Sequence, residues 1–428
     1  MDRVSRLVAG YFGASRGELL VGGVPVGTLA AAHGTPLFAY DAGVLDRKWS
    51  LLRESLPPEF AIAYSVKANP SPRILRHFLA KGSLLEVASA GELRRATEAG
   101  CPPGRILFAG PGKTEAELEL ALREGIREIH AESPLELRRI GEIARKLGVR
   151  ARVALRVNPG VEVQGGAMRM GGKPTAFGVD EETVDTVLDA VVADPAIELR
   201  GLHVYAGTQI LDPVVLAGQY RRALDIARRV AQRIGHPLHT LDFGGGLGIP
   251  YFPGEVELDM AKLREELRAL MAEVEGDPRL AGTQMLVEPG RYLVGEAGIY
   301  IARLLDMKVS RGKTFLVVDG GMNHHLAASG NLGQVIKRNF PVALINRLDA
   351  APTVTADVVG PLCTPLDTLA RDLPVPSPTV GDLVGIFQSG AYALSASPVD
   401  FLSHPFPAEI LVQDGKVEVM RPHGSRQP

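Results

Sequence analysis

The chain has 428 residues, which leaves room for a domain of about 250 residues and a second one of about 100 to 150. Its 47 Lys and Arg residues nearly balance 49 Asp and Glu residues, so the charge of −2 indicates neither a nucleic acid nor a membrane surface as partner. Because no apolar run reaches about 18 residues and the start lacks signal-peptide order, we expect a cytoplasmic protein. The two cysteines, Cys101 and Cys363, lie far apart without metal-ligand spacing, so we expect neither a disulfide framework nor a metal site.

The first 35 residues predict elements too few to bury a core by themselves. The pattern indicates a short helix, a hairpin over 19–26 and a helix near 28–33. A strand over 36–41 then leads into a helix. We expect the N-terminal segment to pack on a later part of the chain.

Apolar, strand-like runs alternate with amphipathic helical stretches through the middle of the chain. Glycines close two of the helical stretches, at Gly100 and Gly125. Eight strands, each followed by a helix, favour a (β/α)8 TIM-type barrel over an open doubly wound sheet, whose GxGxxG opening is absent. The strand candidates are Ala61–Val66, Leu84–Ala88, Ile106–Ala109, Glu128–Glu132, Arg152–Asn158, Leu199–Tyr205, Thr240–Phe243 and Met285–Glu288.

After about residue 295 the pattern changes to short β-like runs between Gly, Pro and Asp turns, which is typical of an antiparallel β domain. We therefore expect an N-terminal segment, 1–35, packing on a β domain, 296–428, with the barrel, 36–295, between them. The glycine-rich segment 161–174 predicts a long mobile loop at the barrel mouth, either a lid or a flexible connection.

One lysine lies where barrel enzymes carry out their chemistry. The strand Ala61–Val66 is followed directly by Lys67, and Asn69 and Pro70 then stop the strand. A lysine held on a rigid strand and partly desolvated can form a Schiff base with an aldehyde cofactor. An ion-paired or snorkelling lysine is the alternative interpretation.

The loops after the seventh and eighth predicted strands carry glycines. Backbone N–H groups of Gly244–Gly246 can bind a phosphate there, although glycines also serve tight turns. Glu288 can pair with a protonated pyridine nitrogen, as in enzymes that use pyridoxal 5′-phosphate (PLP), and Arg291 can hold a phosphate or carboxylate. A salt bridge at the barrel rim is the alternative for both.

Six motifs occur in an order that resembles the fold-type III PLP-dependent decarboxylases. That family includes diaminopimelate, ornithine and arginine decarboxylases, and the resemblance spans nearly the whole chain. The motifs are Tyr64–Asn69, His203–Gln209, Gly244–Gly246, Glu288–Arg291, Gly360–Cys363 and Ser389–Tyr392.

The resemblance implies a role for each matching residue. Lys67 would bind PLP as the Schiff-base lysine, and Cys363, from the partner subunit of a homodimer, would protonate the carbon that loses its carboxylate. A small buried hydrophobe is the alternative for Cys363. Arg291 and Tyr392 would also contact the substrate. The implied cofactor contacts are Lys67, Tyr205, Thr208, Gly245, Gly246, Glu288, Gly290, Arg291 and Tyr392.

The departures from the family pattern concern substrate choice. Tyr205 stands where the family has a ring-stacking histidine, and Thr364 where diaminopimelate decarboxylases have an acidic residue that grips the distal amino group. Ala327 and Asn331 stand where those enzymes have an Arg and a Tyr for the substrate carboxylate. Losing these partners predicts strong discrimination against free diaminopimelate.

The same departures resemble a subgroup that contains the glutamyl-[acyl-carrier-protein] decarboxylase of butirosin biosynthesis and exosortase-associated decarboxylases. A substrate tethered to an acyl-carrier protein presents no free distal group, which fits the missing partners. We predict that Thr364, His324 and His325 line the substrate pocket. Adjacent residues of a strand face opposite sides, so a solvated loop is the alternative for at least one histidine. We expect His203 in the core.

The predicted function is PLP-dependent α-decarboxylation of an amino acid, with an atypical or carrier-tethered substrate such as a glutamyl thioester. One alternative is a diaminopimelate decarboxylase that makes L-lysine. A second is a non-catalytic, PLP-binding regulatory homologue. A fold-type III racemase is the enzymatic rival, and the loop that carries Cys363 argues against it.

Overall fold

A computed structural model describes residues 2–160, 168–169, 174–205, 207–332, 334 and 336–426. These residues form two compact units. The first comprises Met1–Trp49, Pro250–Glu255 and Arg291–Pro428, and the second comprises Ser50–Ile249 and Val256–Gly290. Nearly all of the loop predicted over 161–174 lies outside the described residues. The exceptions are residue 174 and the short strand Met168–Arg169, which pairs with Gly207–Thr208.

The second unit is a closed barrel of eight parallel strands, which confirms the predicted barrel and all eight strand positions. Each strand pairs with the next one in chain order, including the fourth with the fifth, and the eighth strand pairs with the first to close the circle. A further short strand, Val179–Asp180, pairs in parallel with the C-terminal end of the fifth strand. The barrel strands are Phe60–Ser65, Leu84–Val87, Ile106–Phe108, Glu128–Ala131, Ala151–Asn158, Ile197–Val204, Thr240–Asp242 and Gln284–Val287.

Helices connect the barrel strands, and local capping chemistry fixes their ends. Thr114 and Glu117 form a capping box at the start of one helix, and Gly125 ends it in the left-handed conformation, as its position in the sequence predicts. The helices are Pro72–Ala80, Ala90–Glu98, Glu115–Glu124, Pro134–Leu147, Val184–Ala193, Pro213–Ile234 and Met260–Val274; short 3-10 turns cover Val66–Ala68, Pro103–Arg105 and Glu181–Thr183.

Apolar side chains fill the lower part of the barrel, where Ala63, Leu84, Leu107 and Leu286 form one buried cluster. Side chains alternate between the two faces of a strand, so residues two positions further along point the same way. Three of those four residues are polar: Ser65, Glu86 and Glu288 follow Ala63, Leu84 and Leu286, whereas Ala109 follows Leu107. On these three strands the interior therefore changes from apolar to polar toward the C-terminal ends.

The first unit contains a nine-stranded sheet and the N-terminal elements that pack on it. Leu7, Leu19, Val21, Val26 and Leu29 share one buried cluster with residues of that sheet, including Ile299 and Ile410. The N-terminal elements are helix Arg3–Tyr11, strands Gly13–Ser15, Glu18–Val21 and Val24–Pro25, and helix Val26–His33.

Most strand pairs of the nine-stranded sheet are antiparallel, as predicted, but Leu37–Asp41 pairs in parallel with Ala408–Gln413, and Lys313–Val318 with Val354–Val359. Leu37–Asp41 lies between Gly298–Ser310 and Ala408–Gln413, so residues expected at the start of the barrel domain belong to this sheet. The remaining strands are Val342–Leu344, Thr368–Val375, Leu383–Ile386 and Lys416–Arg421. The helices are Ala42–Ser55, which continues past the unit boundary at Trp49, and Arg291–Val294. Short 3-10 turns cover Gly295–Ala297, Leu394–Ala396 and Phe401–Ser403. No helix among the described residues has the length and apolar character to cross a membrane.

A fully buried carboxylate links distant segments of the first unit. The Glu296 carboxylate accepts hydrogen bonds from Arg3 and Lys48, both 2.7 Å away, and from Gln388 Nε2 at 3.3 Å. Lys48 is also buried, and its Nζ lies 3.7 Å from the centre of the Tyr292 ring. Burial lowers the pKa of Lys48, but the Glu296 charge, together with Tyr292, Tyr11 and the hydrogen bond to Glu296, outweighs burial and holds that pKa above its usual range.

We predict that Glu296→Gln destabilises the protein by about 3–5 kcal/mol, because removal of the carboxylate leaves the Lys48 ammonium buried without its counter-charge. Urea unfolding measures the change. The control is Arg233→Ala, whose partner Asp189 is exposed; loss of such a surface pair costs less than about 1 kcal/mol. Equal stability of Glu296→Gln and the parent protein would contradict this account of Lys48.

Candidate active site

The predicted lysine lies at the C-terminal end of the first barrel strand. Lys67 is on the 3-10 turn Val66–Ala68 that follows the strand, and about half of its side chain is exposed. Both Oε atoms of Glu86 lie 3.2 Å from Lys67 Nζ, and Ser65 Oγ donates to Glu86 Oε2. Glu86 is 1% exposed. The ammonium is thus oriented by a rigid, buried carboxylate from the neighbouring strand.

Two more buried carboxylates, Asp242 and Glu288, lie at the same end of the barrel. Burial first, and then the neighbouring Asp242 and Glu86 carboxylates, raise the pKa of Glu288 well above its usual range. Burial likewise raises the pKa of Asp242 to about 7. Asp242 Oδ2 and Glu288 Oε1 have no hydrogen-bond partner among the described residues. The site therefore has more buried carboxyl groups than the Lys67 ammonium can balance, and the raised pKa values of Asp242 and Glu288 favour their protonated forms.

A buried histidine pair adjoins Glu288. His203 Nε2 is 3.4 Å from Glu288 Oε2, and His203 Nδ1 is 3.0 Å from His130 Nδ1. Burial lowers the pKa of His130 to about 3 and the pKa of His203 well below its usual range, so both imidazoles are neutral. His130, His203 and Glu288 each offer one ligand atom, and these three atoms lie within 4.8 Å of one another, as in metal sites. We interpret the 3.0 Å contact as a hydrogen bond, and the absence of a metal stays a prediction.

The glycine loops after the seventh and eighth strands lie against each other. Glu288 N donates to Gly244 O at 2.7 Å, and a Cβ on Gly245 would lie 2.8 Å from Glu288 O. A Cβ on Gly290 would lie 2.8 Å from Ala68 Cβ. Within the described part of the chain, the N–H groups of Gly245, Gly246 and Gly290 donate to no protein acceptor. They form a set of free donors of the kind that binds phosphate.

The predicted aromatic contact lies over these glycines. Gly244 has a φ of 68°, and a Cβ there would lie 2.6 Å from a ring carbon of Tyr205, so glycine is required beneath this ring. Gly207 O lies 3.1 Å from the position of a Cβ on Gly246. Thr208 directly follows Gly207, whose backbone contacts Gly246, so Thr208 lies next to the glycine N–H groups that suit a phosphate. The barrel unit thus gathers Lys67, Tyr205, Thr208, Gly245, Gly246, Glu288 and Gly290 at one end.

The other predicted residues belong to the first unit. Arg291 donates to Tyr251 Oη at 3.1 Å, and its guanidinium lies 4.8 Å from the centre of the Tyr392 ring. Burial raises the pKa of the Tyr251 hydroxyl. These contacts confine the guanidinium between two aromatic rings, an arrangement that suits an anion-binding arginine.

Cys363 and Thr364 lie on the loop between strands Val354–Val359 and Thr368–Val375. Cys363 is exposed. The buried Asp367 carboxylate accepts from Leu362 N at 2.9 Å and from Met322 N at 2.6 Å, which ties this loop to the one that follows Lys313–Val318. Cys363 is thus presented at the surface on a loop with a fixed base.

Both predicted substrate histidines are buried, so the alternative of a solvated loop is wrong. His325 Nε2 contacts Ser389 Oγ at 2.9 Å, while His325 Nδ1 accepts from Ala328 N. His324 contacts Tyr300 Oη and Pro405 O, each at 3.1 Å. All four ring nitrogens are engaged within the first unit, which favours a structural role for both histidines over substrate binding.

Comparison with known proteins identifies the family. The sequence family described as "Pyridoxal-dependent decarboxylase, pyridoxal binding domain" matches residues 42–295, more than half of the chain. The chain belongs to this family. It is a PLP-dependent decarboxylase, as the six motifs predicted.

Three relatives of this decarboxylase cover almost its whole length. It is 40% identical to the L-glutamyl-[BtrI acyl-carrier protein] decarboxylase of Niallia circulans, over 91% of this chain and 92% of the relative. It is 34% identical to the diaminopimelate decarboxylase of Aquifex aeolicus, over 95% and 93%. The crystal structure of the M. jannaschii diaminopimelate decarboxylase with L-lysine matches with a TM-score of 0.89 and 25% identity, over 97% and 95%.

The residues of the barrel fit PLP. The surplus of buried carboxylates calls for a second positive charge, which a protonated pyridine nitrogen supplies beside Glu288. The free N–H groups of Gly245, Gly246 and Gly290 suit a phosphate. Lys67 offers an amine to the aldehyde. Each chemical group of the cofactor thus has a complementary group on the barrel.

Sequence reasoning missed Glu86, His130 and Asp242 as members of the site. Each follows a buried apolar residue on its strand: Glu86 follows Leu84-Leu85, His130 follows Ile129, and Asp242 follows Leu241. A charged or titratable residue within a buried barrel strand was the available signal, since such residues are rarely buried without a partner. His203 is buried, as predicted, but it also contacts Glu288.

We predict that Asp242→Asn stabilises the cofactor-free decarboxylase at pH 8 by an amount on the order of 2 kcal/mol. The pKa of Asp242 is raised on folding, so its favourable contribution is present below the unfolded pKa and is lost as pH rises through about 7. The advantage of the variant should therefore shrink toward pH 5. Melting curves between pH 5 and 8 measure it.

The control for Asp242→Asn is Asp225→Asn, because Asp225 is largely exposed. A pH-independent difference between Asp242→Asn and the parent protein would show that Asp242 is not protonated in the folded state.

Proposed function

We propose that this decarboxylase removes the α-carboxylate of a glutamyl group tethered to an acyl-carrier protein. The observation that carries the proposal is the 40% identity, over nearly the full length of both chains, to a decarboxylase named for that substrate. Free diaminopimelate is the alternative, since several relatives at 31–35% identity are diaminopimelate decarboxylases.

The loops of the first unit support a substrate without a free distal ammonium or carboxylate. Thr364 Oγ1 accepts from Leu366 N at 3.3 Å within its own loop. Asn331 donates to Ser329 Oγ at 2.6 Å and accepts from Lys337 Nζ at 2.6 Å. Neither side chain carries a charge, and Ala327 has no polar atom. None of these three side chains would therefore pair with a charged distal group, and the Lys337 ammonium beside Asn331 would repel a distal ammonium.

In this proposal the barrel residues bind and orient the cofactor and substrate. When bound, PLP supplies an electron sink for the pair of electrons left by the departing carboxylate. Lys67 holds the aldehyde end, and Glu86 orients the lysine amine. Glu288 holds the ring nitrogen in its charged state. Gly245, Gly246 and Gly290, with Thr208, bind the phosphate, and Tyr205 covers one face of the ring.

Residues of the first unit complete the proposed chemistry. Arg291 and Tyr392 bind an anionic group, either the phosphate or the substrate carboxylate. Cys363 Sγ–H delivers a proton to the carbon that has lost its carboxylate, and the thiolate then regains a proton from solvent. The exposure of Cys363 fits the proposed homodimer, in which the thiol serves the active site of the partner subunit.

The substrate is tested by incubating the PLP-loaded enzyme with diaminopimelate, lysine, ornithine, arginine, glutamate and a glutamyl carrier-protein thioester. Carbon dioxide release and product mass are measured. We expect turnover of the thioester, with kcat/KM for each free amino acid lower by at least about 100-fold, since losing a charged partner is costly. Lys67→Ala is the inactive control.

Efficient turnover of free diaminopimelate would overturn the proposed substrate and indicate lysine synthesis. Turnover that survives Lys67→Ala would overturn the role of Lys67 itself.

The shared active site is tested by mixing two inactive variants, Lys67→Ala and Cys363→Ala. If each site combines Lys67 of one subunit with Cys363 of the other, half of the randomly formed dimers contain one intact site, and about a quarter of the parent activity returns. Activity is measured with the preferred substrate before and after subunit exchange. No recovery, with exchange shown by mass-tagged subunits, would contradict sharing.

A further inference from the structure

The His130–His203 contact in the barrel interior requires one proton between two nitrogens. A neutral imidazole carries one N–H and one lone pair, and the Nδ1 atoms are 3.0 Å apart. One histidine therefore donates from Nδ1 and the other accepts at Nδ1. Which histidine donates decides whether the Nε2 atom of each ring carries a proton or a lone pair.

The neighbours at the two ends are carboxylates. His203 Nε2 faces Glu288 Oε2 at 3.4 Å, and His130 Nε2 faces Glu128 Oε2 at 4.0 Å. Glu128 is fully buried; it accepts from Thr240 Oγ1 at 2.8 Å and lies 3.6 Å from Arg200. Glu128, His130, His203 and Glu288 thus lie in a row, in which the two histidines are in hydrogen-bond contact, Glu288 is 3.4 Å from His203, and the 4.0 Å gap to Glu128 is wider than a hydrogen bond.

This row has two arrangements. In the first, His203 donates to His130, so a lone pair faces Glu288 and suits a protonated Glu288, while His130 Nε2–H faces an ionised Glu128. In the second, His130 donates to His203, whose Nε2–H then faces an ionised Glu288, while the lone pair at His130 Nε2 suits a protonated Glu128.

Conversion from the first arrangement to the second moves three protons one step each. Glu288 gives its proton to His203 Nε2, and His203 Nδ1 gives its proton to His130 Nδ1. His130 Nε2 gives its proton to Glu128, a step that requires a side-chain shift to close the 4.0 Å gap between them. The net charge of the row is unchanged, and one negative charge moves from Glu128 to Glu288.

We propose that His130 is a positioning residue that holds His203 in the tautomer whose Nε2–H stabilises an ionised Glu288 at the cofactor ring nitrogen. The proposal rests on the role of Glu288 proposed above. Binding of a pyridinium favours the second arrangement, because the positive charge attracts the negative charge to Glu288. Without the His130 donor, the Nδ1 atom of His203 is no longer held as an acceptor.

The other charged groups around the row act in both directions: the Asp242 and Glu86 carboxylates oppose an ionised Glu288, whereas the Lys67 ammonium favours it. Lys113 Nζ donates to His130 O at 2.8 Å, which fixes the backbone that carries the ring. Burial raises the pKa of Glu128, so this carboxylate can hold the displaced proton. The positive charges of Lys67, Arg156 and Lys113 oppose a charged histidine pair, so the row works with neutral rings.

The test compares two amides that differ by one methylene, His130→Asn and His130→Gln. The Asn amide places its N–H close to the position of His Nδ1, whereas the Gln amide places it near Nε2. We measure the PLP dissociation constant, the absorbance spectrum of the PLP-loaded enzyme, and kcat and KM for the preferred substrate.

We expect His130→Asn to stay within about 3-fold of the parent affinity, and His130→Gln to weaken PLP binding and kcat by about 10- to 100-fold, as when the partner that orients a functional histidine is removed. KM should change little, and the absorbance spectrum should shift in the Gln variant only. Glu128→Gln should tighten PLP binding, because its amide can donate to His130 Nε2 and favour the second arrangement.

Equal behaviour of the Asn and Gln variants would overturn the proposal, as would weaker PLP binding by Glu128→Gln. Melting curves of the cofactor-free variants show whether any loss reflects unfolding. Glu288→Ala distinguishes failure of the proposed Glu288 role from failure of the tautomer assignment. An unchanged spectrum and PLP affinity in Glu288→Ala would overturn the proposed role of Glu288. A changed spectrum in Glu288→Ala, with no effect of the His130 substitutions, would overturn only the tautomer assignment.

Discussion

Buried negative charge around Lys67 is the constraint on which the rest of the active site depends. Three carboxylates, from Glu86, Asp242 and Glu288, lie inside the barrel at the end of strands that are otherwise apolar. A folded protein tolerates this arrangement only with protons or cations to balance it. Lys67 supplies one positive charge, and the raised pKa values of Asp242 and Glu288 show that protons supply part of the rest. In the proposed binding mode, a cationic cofactor ring would replace protons that the site already holds.

The β-sheet unit uses buried carboxylates in a different way. Glu296 and Asp367 each accept hydrogen bonds from segments far apart in the chain, and each has partners that balance it. Glu296 and Asp367 hold loops in place, whereas the barrel carboxylates surround the candidate catalytic lysine. The distinction lies in hydrogen-bond satisfaction: the barrel carboxylates Asp242 and Glu288 each retain an oxygen without a partner among the described residues.

The barrel could be predicted from the sequence because its signals are local, and so could the position of the candidate binding residues at the ends of its strands. All eight strands were visible as apolar runs, and the glycines of the phosphate loops and Lys67 follow strand ends directly. The contacts of Glu86 and His130 could not be predicted, since they depend on which strands become neighbours and on which face each side chain points. His324 and His325 show the same limit: both are buried by a loop that has no periodic pattern.

Chain order imposes a further consequence on the sheet of the first unit. Its strand Leu37–Asp41 lies between Gly298–Ser310 and Ala408–Gln413, both of which follow the barrel in the sequence. During synthesis, this fully buried strand leaves the ribosome long before either partner exists, and the entire barrel is made in between. The nascent chain must therefore carry an unpaired, apolar strand through most of translation, when such a segment is most open to wrong pairing with other chains. The N-terminal helix, the hairpin and the helix Val26–His33 are made before it and are available to cover it.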